Sequence, residues 1–455
     1  MNRGSADAPG VPAPSERNGR ALDPAPARLR SDPVGAIHPQ PWMTAPETLL
    51  VFDALAPAGA EVRFIGGCVR DAILRRPIRD IDLALALPPR QVMELLRAAG
   101  IKVVPTGIDH GTVTAVVGTR QYEITTLRVD VEAFGRRARV AFTDDWVADA
   151  ARRDFTFNAL SCTLAGDIYD YFDGLEDLGH GRVRFVGNAR ERISEDILRL
   201  LRFFRFYAHY GRPPPDQDAL VACREWASKV ETLAGERVRA ELFRTLLATD
   251  PADVFQLMRE WDVLPHVLPE ADGVDRLRML SWLDSRALRL DSVAADPVRR
   301  LAALLDSSEA AIERIADRLK LSNDQRQRLA AMARRPLTID PAAEDAAVSR
   351  CLYDLGAETT RDVALLAWAE ELVAQPRPTA GRNEHWTQLL HRIDEWRRPE
   401  FPLRGRDALA LGLVPGPGVG ALLRDVERWW EDGGFTADRE ACLTRLRALI
   451  GKQDA

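Results

Sequence analysis

The chain has 455 residues, 46% hydrophobic and 29% charged, with a formal net charge of −6. That length predicts two to four domains, and the composition is that of a globular chain. No uninterrupted apolar run is long enough to cross a bilayer, and the acidic sum gives no global signature of a nucleic-acid binder, although binding depends on local basic surface.

Residues 1–40 are rich in Pro, Ala, Gly and Asp and lack an apolar signal core, which predicts a disordered leader. A helix over 46–56 and a strand over 61–65 lead to the pair Gly66-Gly67. A helix over about 67–75, a strand carrying Asp80 and Asp82, and a helix over 89–99 come next. Strands over 112–117 and 121–127, a helix near 145–152 and a strand around 159–164 complete an α/β head over 41–188, with a sheet as its floor. Beyond it apolar residues recur at helical spacing, beginning with one long helix over 191–210. Breaks at Pro213-Pro214-Pro215, Arg335-Pro336 and Pro376-Arg377-Pro378 divide this part into a neck over 189–250, a body over 251–375 and a tail over 376–455.

The five cysteines are scattered, with no Cys-x-x-Cys pair and no histidine cluster, so structural zinc and a disulfide framework are not expected. This fits a reducing cytoplasm. Only four of the 62 basic residues are lysines. Arginine suits bidentate phosphate and base contacts, but such a bias equally reflects the composition of a source genome.

Gly66 and Gly67 follow an apolar strand, so they either form a simple turn or bring helix-start amides close to phosphate oxygens. Arg70 lies one turn further on and is a second phosphate candidate. Asp80 and Asp82 stand at i and i+2, which points both carboxylates to one side of a strand. Either Arg79 or Arg76 pairs with them, with one carboxylate left in solvent, or a divalent cation holds both, and Mg²⁺ takes carboxylate and triphosphate oxygens together. Glu123 is the third carboxylate if its strand faces the same cleft, and otherwise an exposed edge glutamate.

The run Gly66-Gly67-Cys68-Val69-Arg70-Asp71 with Asp80-x-Asp82 resembles the signature of the polymerase β-type nucleotidyltransferases. More narrowly, it is similar to the class II tRNA nucleotidyltransferase/poly(A) polymerase family. Ordered matches continue through His110-Gly111-Thr112-Val113, Tyr122–Arg128, Arg152-Arg153-Asp154-Phe155-Thr156-Phe157-Asn158-Ala159-Leu160, Glu195–Phe206 and Gly235–Leu242. The resemblance implies an α+β fold, with a polymerase β-like head holding a small mixed or antiparallel sheet and an all-α body of several subdomains.

It also implies roles. Asp80 and Asp82 hold two Mg²⁺ ions, with Glu123 completing the catalytic set. Gly66, Gly67, Arg70, Arg152, Arg153, Asp154 and Asn158 form the pocket for the triphosphate and ribose. Asp196 and Arg199 serve as a protein template for the incoming base. Three apart, they are expected on one helix face, or else as a plain surface salt bridge. A carboxylate accepts from an exocyclic amine and a guanidinium donates to an acceptor beside it, which suits CTP and ATP over GTP and UTP. Arg202 and Arg205 continue a basic stripe and join the nucleotide-binding set.

The implied reaction is template-independent addition of CCA to the 3′ end of tRNA from CTP and ATP, with the acceptor and TΨC arm as partner surface. No membrane and no obligate protein partner are expected. A poly(A) polymerase, a CC- or A-adding partial enzyme and an inactive RNA-binding protein are the alternatives. The segment after Arg128, with Arg136, Arg137 and Arg139, occupies the place of a loop that in relatives helps the switch from cytidine to adenosine, and its presence favours complete CCA addition.

Overall fold

The strand that follows Asp80 lies in the interior of an eight-stranded sheet in the computed structural model, which describes residues 32–134, 137–305, 309–333, 340–342 and 345–453. The elements up to Phe142 are β1 (Gly35–Ala36), α1 (Pro46–Leu55), β2 (Arg63–Ile65), α2 (Gly67–Ile73), β3 (Ile81–Leu85), α3 (Pro89–Ala98), β4 (Lys102–Gly107), β5 (Thr112–Val117), β6 (Arg120–Thr126), β7 (Arg128–Phe134) and β8 (Arg137–Phe142). After them come α4 (Trp146–Ala151), β9 (Ser161–Cys162), β10 (Asp167–Tyr169), α5 (Gly174–His180), α6 (Ala189–Glu195) and α7 (Leu198–Tyr210).

The sheet order is β1-β10-β9-β2-β3-β6-β5-β4, and among the described residues β7 and β8 form a separate two-stranded antiparallel sheet. β3 and β6 are parallel while every other pairing is antiparallel. Parallel neighbours need a crossover, and α3 with β4 and β5 intervenes between them. α3 buries Val92, Met93 and Leu96 and leaves Arg90, Glu94 and Arg97 outside the core, the stripe that a one-sided helix requires. Leu83, Leu85, Val113, Ala115, Tyr122 and Ile124 supply the alternating buried positions of the central strands.

The described residues divide into two units, one running to Arg199 with Arg212–Ala222 added, the other made of Leu200–Gly211 and the described residues from Cys223 onward. The second unit is helical. It begins with most of α7 and includes a helix over Gly235–Leu246, a long one over Asp345–Ala374 interrupted at Gly356, and a final one over Arg439–Gln453. Arg300, wholly buried, pairs with Asp284 and donates to the carbonyls of Leu246 and Ala248, capping the Gly235–Leu246 helix. Among the described residues no helix is long and apolar enough to cross a membrane.

Several sequence expectations need correction. Residues 35–36 of the expected leader form a strand paired with β10, and 1–31 lie outside the described residues. The helix expected over 191–210 is two helices. Asp196 between them has extended backbone (φ −149°, ψ 105°) and accepts the amide of Leu198 at 3.2 Å. A short polar side chain that bonds local backbone competes with helix continuation, and apolar periodicity does not register that competition. β4, β7 and β8 were not expected as strands. β4 is mostly exposed, so it lacks the alternation that marks a half-buried strand.

Candidate active site

β3 starts at Ile81, so Asp80 stands just before the strand and Asp82 within it. The parallel register sets Asp82 directly against Glu123 of β6. Asp82 is half-buried, whereas Asp80 and Glu123 are exposed. Burial pushes the Asp82 carboxyl up to about 6, Glu123 and Asp80 add to the rise, and Arg153 opposes it. These three carboxylates and one guanidinium therefore share a single electrostatic neighbourhood. Among the described residues, no three His, Cys, Asp or Glu side chains are already gathered into a metal-holding group.

The glycine turn sits against the same guanidinium. Gly66 has φ +67°, a conformation that disfavours any side chain, and a Cβ there would stand 3.6 Å from Arg153 Nη1. Its amide donates to the carbonyl of Leu160, and Gly67 opens α2.

Arg70 points into the protein rather than to a rim. It is buried, donates through Nη1 to Asn158 Oδ1 at 2.7 Å, and holds Asp71 by two bonds of 2.9 and 3.1 Å. Asn158 Nδ2 passes the link to Asp154 Oδ1 at 3.0 Å, an oxygen that also accepts the amide of Phe155. Thus Arg70, Asn158 and Asp154 form one braced row, in which Arg70 orients its neighbours. Behind the row, wholly buried Asp177 accepts from Thr156 Oγ1 and Arg184 Nε.

Arg152 and Arg153 follow α4, whose start is capped by Asp145 accepting the amides of Val147 and Ala148. One turn into α4, Asp149 is buried and takes Arg152 Nε at 3.0 Å and Arg153 Nη2 at 2.8 Å. Burial pushes its carboxyl up, but the two arginines and the amide of Arg128 outweigh that and hold it below the ordinary value. Sequence reasoning missed Asp149. The spacing i, i+3, i+4 ahead of an arginine pair at a helix end was the available signal.

Arg199 lies at the start of α7. It pairs with Glu195 and donates to the carbonyls of Arg192 at 3.0 Å and Arg152 at 3.3 Å. Asp196 is not on a shared helix face with it, because the break places Asp196 ahead of α7 as its capping residue. Both flank the same turn, and Glu195 is the residue that aims the guanidinium.

Arg202 and Arg205 belong to the helical unit. Arg205 ion-pairs with buried Glu241 and lies 4.1 Å from the Phe206 ring centroid, while Arg202 lies 5.4 Å from it. Burial pulls Arg205 below the usual guanidinium value although Glu241 raises it. Arg136 and the side chains of Arg137 and Arg139 lie outside the described residues. A cavity of about 290 Å³ walled by Val230, Leu233, Pro265 and Val267 belongs to the helical unit and includes none of the site residues.

Residues 62–184 match the "Poly A polymerase head domain" family, and residues 215–274 match "Probable RNA and SrmB- binding site of polymerase A". Human mitochondrial CCA tRNA nucleotidyltransferase 1 is 32% identical over 390 residues, covering 85% of this chain and 86% of that protein. The CCA-adding enzyme of Enterococcus faecalis is 30% identical over 392 residues, covering 85% and 91%. A crystal structure of the Bacillus stearothermophilus CCA-adding enzyme in complex with CTP is 26% identical, with a TM-score of 0.71 over 90% of this chain and 98% of that one.

Proposed function

This chain belongs to the CCA tRNA nucleotidyltransferase family, and from that premise we propose that Asp80, Asp82 and Glu123 form the centre of its reaction. The enzyme adds CCA to the 3′ end of tRNA without a template, using CTP and ATP and releasing pyrophosphate. The observation that carries the assignment of the centre is the β3–β6 register, which sets Glu123 against Asp82 with Asp80 and Arg153 in the same field.

The donor set fits Mg²⁺: it is all oxygen, anionic and partly desolvated, with an electrostatic cost that a hard cation relieves. Held by Asp80 and Asp82 with Glu123 beside them, two Mg²⁺ ions would lower the pKa of the attacking hydroxyl and neutralise charge on the α-phosphate and departing pyrophosphate. In the transfer, the terminal ribose oxygen of tRNA bonds to the α-phosphorus, and the bond from that phosphorus to the pyrophosphate oxygen breaks.

The other residues bind and orient. Arg152 and Arg153 meet the triphosphate as fixed cations, and the Gly66-Gly67 turn allows close backbone approach. Asp154, braced by Asn158 and Arg70, takes the ribose. Arg199 and Asp196 read the base edge, with Glu195 setting the guanidinium. The match over residues 215–274 supports docking of the tRNA acceptor and TΨC arm on the helical part, where duplex RNA is read by shape and phosphate. The β7–β8 hairpin supports complete CCA addition. The five cysteines, all free and buried, support residence in a reducing compartment such as the cytoplasm. Sequencing the 3′ ends made on a tailless tRNA tests this reading.

A further inference from the structure

The carboxylate of Asp149 joins three parts of the first unit. It accepts the backbone amide of Arg128, the first residue of β7, at 3.2 Å, and it holds Arg152 Nε and Arg153 Nη2. Arg153 stands by the Gly66 turn and acts on Asp82. The carbonyl of Arg152 accepts from Arg199 at 3.3 Å. One side chain thus connects the hairpin base, the phosphate-facing arginines and, through one peptide, the base reader.

The charge balance of this trio suits an anion. Two guanidiniums share one carboxylate, so the trio carries one formal positive charge beside a glycine turn. Asp149 itself is 3% exposed and has no room for a ligand. Its chemistry is exercised through the arginines, which lose rotamer freedom to it before any nucleotide arrives.

We propose that Asp149 is a positioning residue of the nucleoside triphosphate site, fixing Arg153 toward the glycine turn and Asp82 and holding Arg152 in register with both Arg199 and the β7–β8 hairpin. The proposal rests on the functional reading above. Its consequence is a split in kinetic effects: nucleotide affinity depends on the carboxylate, and tRNA affinity does not.

The test uses the full chain as wild type, Asp149→Asn and Asp149→Glu. Equilibrium binding of CTP and ATP, steady-state addition with kcat and KM separated, and thermal unfolding are measured for each. Asp149→Asn is expected to weaken binding of both nucleotides on the order of ten-fold or more, as loss of an orienting partner does, with the KM for tRNA unchanged. Asp149→Glu keeps the charge and recovers part of that affinity. Wild-type nucleotide binding in Asp149→Asn overturns the proposal, as does a loss explained wholly by a falling Tm. If Asp149→Asn weakens nucleotide binding while even the wild type makes no CCA end, the positioning role stands and the functional reading fails. If CCA ends form and Asp149→Asn matches wild type, the reverse holds; a wild type that binds neither nucleotide overturns both.

Discussion

Asp82 stands directly against Glu123 across the parallel β3–β6 pair, and Glu123 adds to the cost that burial sets on ionising Asp82. Such an arrangement is unfavourable for the fold and useful for holding a cation. Stability and activity at this position therefore run in opposite directions.

Replacing Asp82 by Asn should stabilise the metal-free protein while removing nucleotide addition. The folded-state pKa of Asp82 is raised from an ordinary 3.8 to about 6. The unfolded chain ionises first as pH rises, so the carboxyl withdraws stability between about pH 4 and 6, and the withdrawal is complete above 6. Asp82→Asn should gain on the order of 1–3 kcal/mol at pH 7 in a metal chelator, the lower end reflecting solvent screening, and nothing below about pH 4. Thermal unfolding across that range checks this, and an equal gain at both pH values would remove the electrostatic explanation.

The sequence revealed the ingredients of this relationship more readily than the pairing. Alternating apolar residues announced β3 and β6, and the Asp-x-Asp spacing announced a shared face. That Glu123 is the residue opposite Asp82 depends on a parallel register fixed across α3, β4 and β5, which no local window contains. The break at Asp196 leaves no mark on the apolar periodicity of 191–210, which runs through it. Asp149 stands among alanines, and an arginine pair in sequence signals ligand contact without showing that the guanidiniums themselves need holding. Arg205 continues the basic stripe of its own helix in sequence, whereas its buried partner, Glu241, lies on the separate Gly235–Leu246 helix, outside any local window.

Arg199→Ala should relax base choice before it affects tRNA binding. A bidentate base-edge contact discriminates by about 1–3 kcal/mol, so the preference for CTP and ATP over GTP and UTP should fall about 5- to 160-fold. Arg199→Lys should not restore it, because an ammonium cannot serve Glu195 and the carbonyls of Arg192 and Arg152 with the same planar fork. Steady-state incorporation of all four nucleotides measures this. An isolated loss of tRNA affinity would count against the base-reading role.

Arg205 and Glu241 should matter to stability within the helical unit. Glu241→Ala leaves a mostly buried guanidinium without its carboxylate, which costs about 3–5 kcal/mol in comparable pairs. Replacing both residues by apolar ones of similar volume should cost less than Glu241→Ala alone. Denaturant unfolding compares the variants. A change in nucleotide preference for Arg205→Ala with unchanged stability would instead return Arg205 to the nucleotide site.

Complete CCA addition is decided by sequencing the 3′ ends formed on a tRNA that stops at its discriminator base, supplied with Mg²⁺ and each combination of CTP and ATP. A CCA-adding enzyme places two cytidines with CTP alone, and C, C and A followed by a stop when both are present. A run of adenosines made from ATP alone, or no extension by a folded protein that binds both nucleotides, would overturn the assignment.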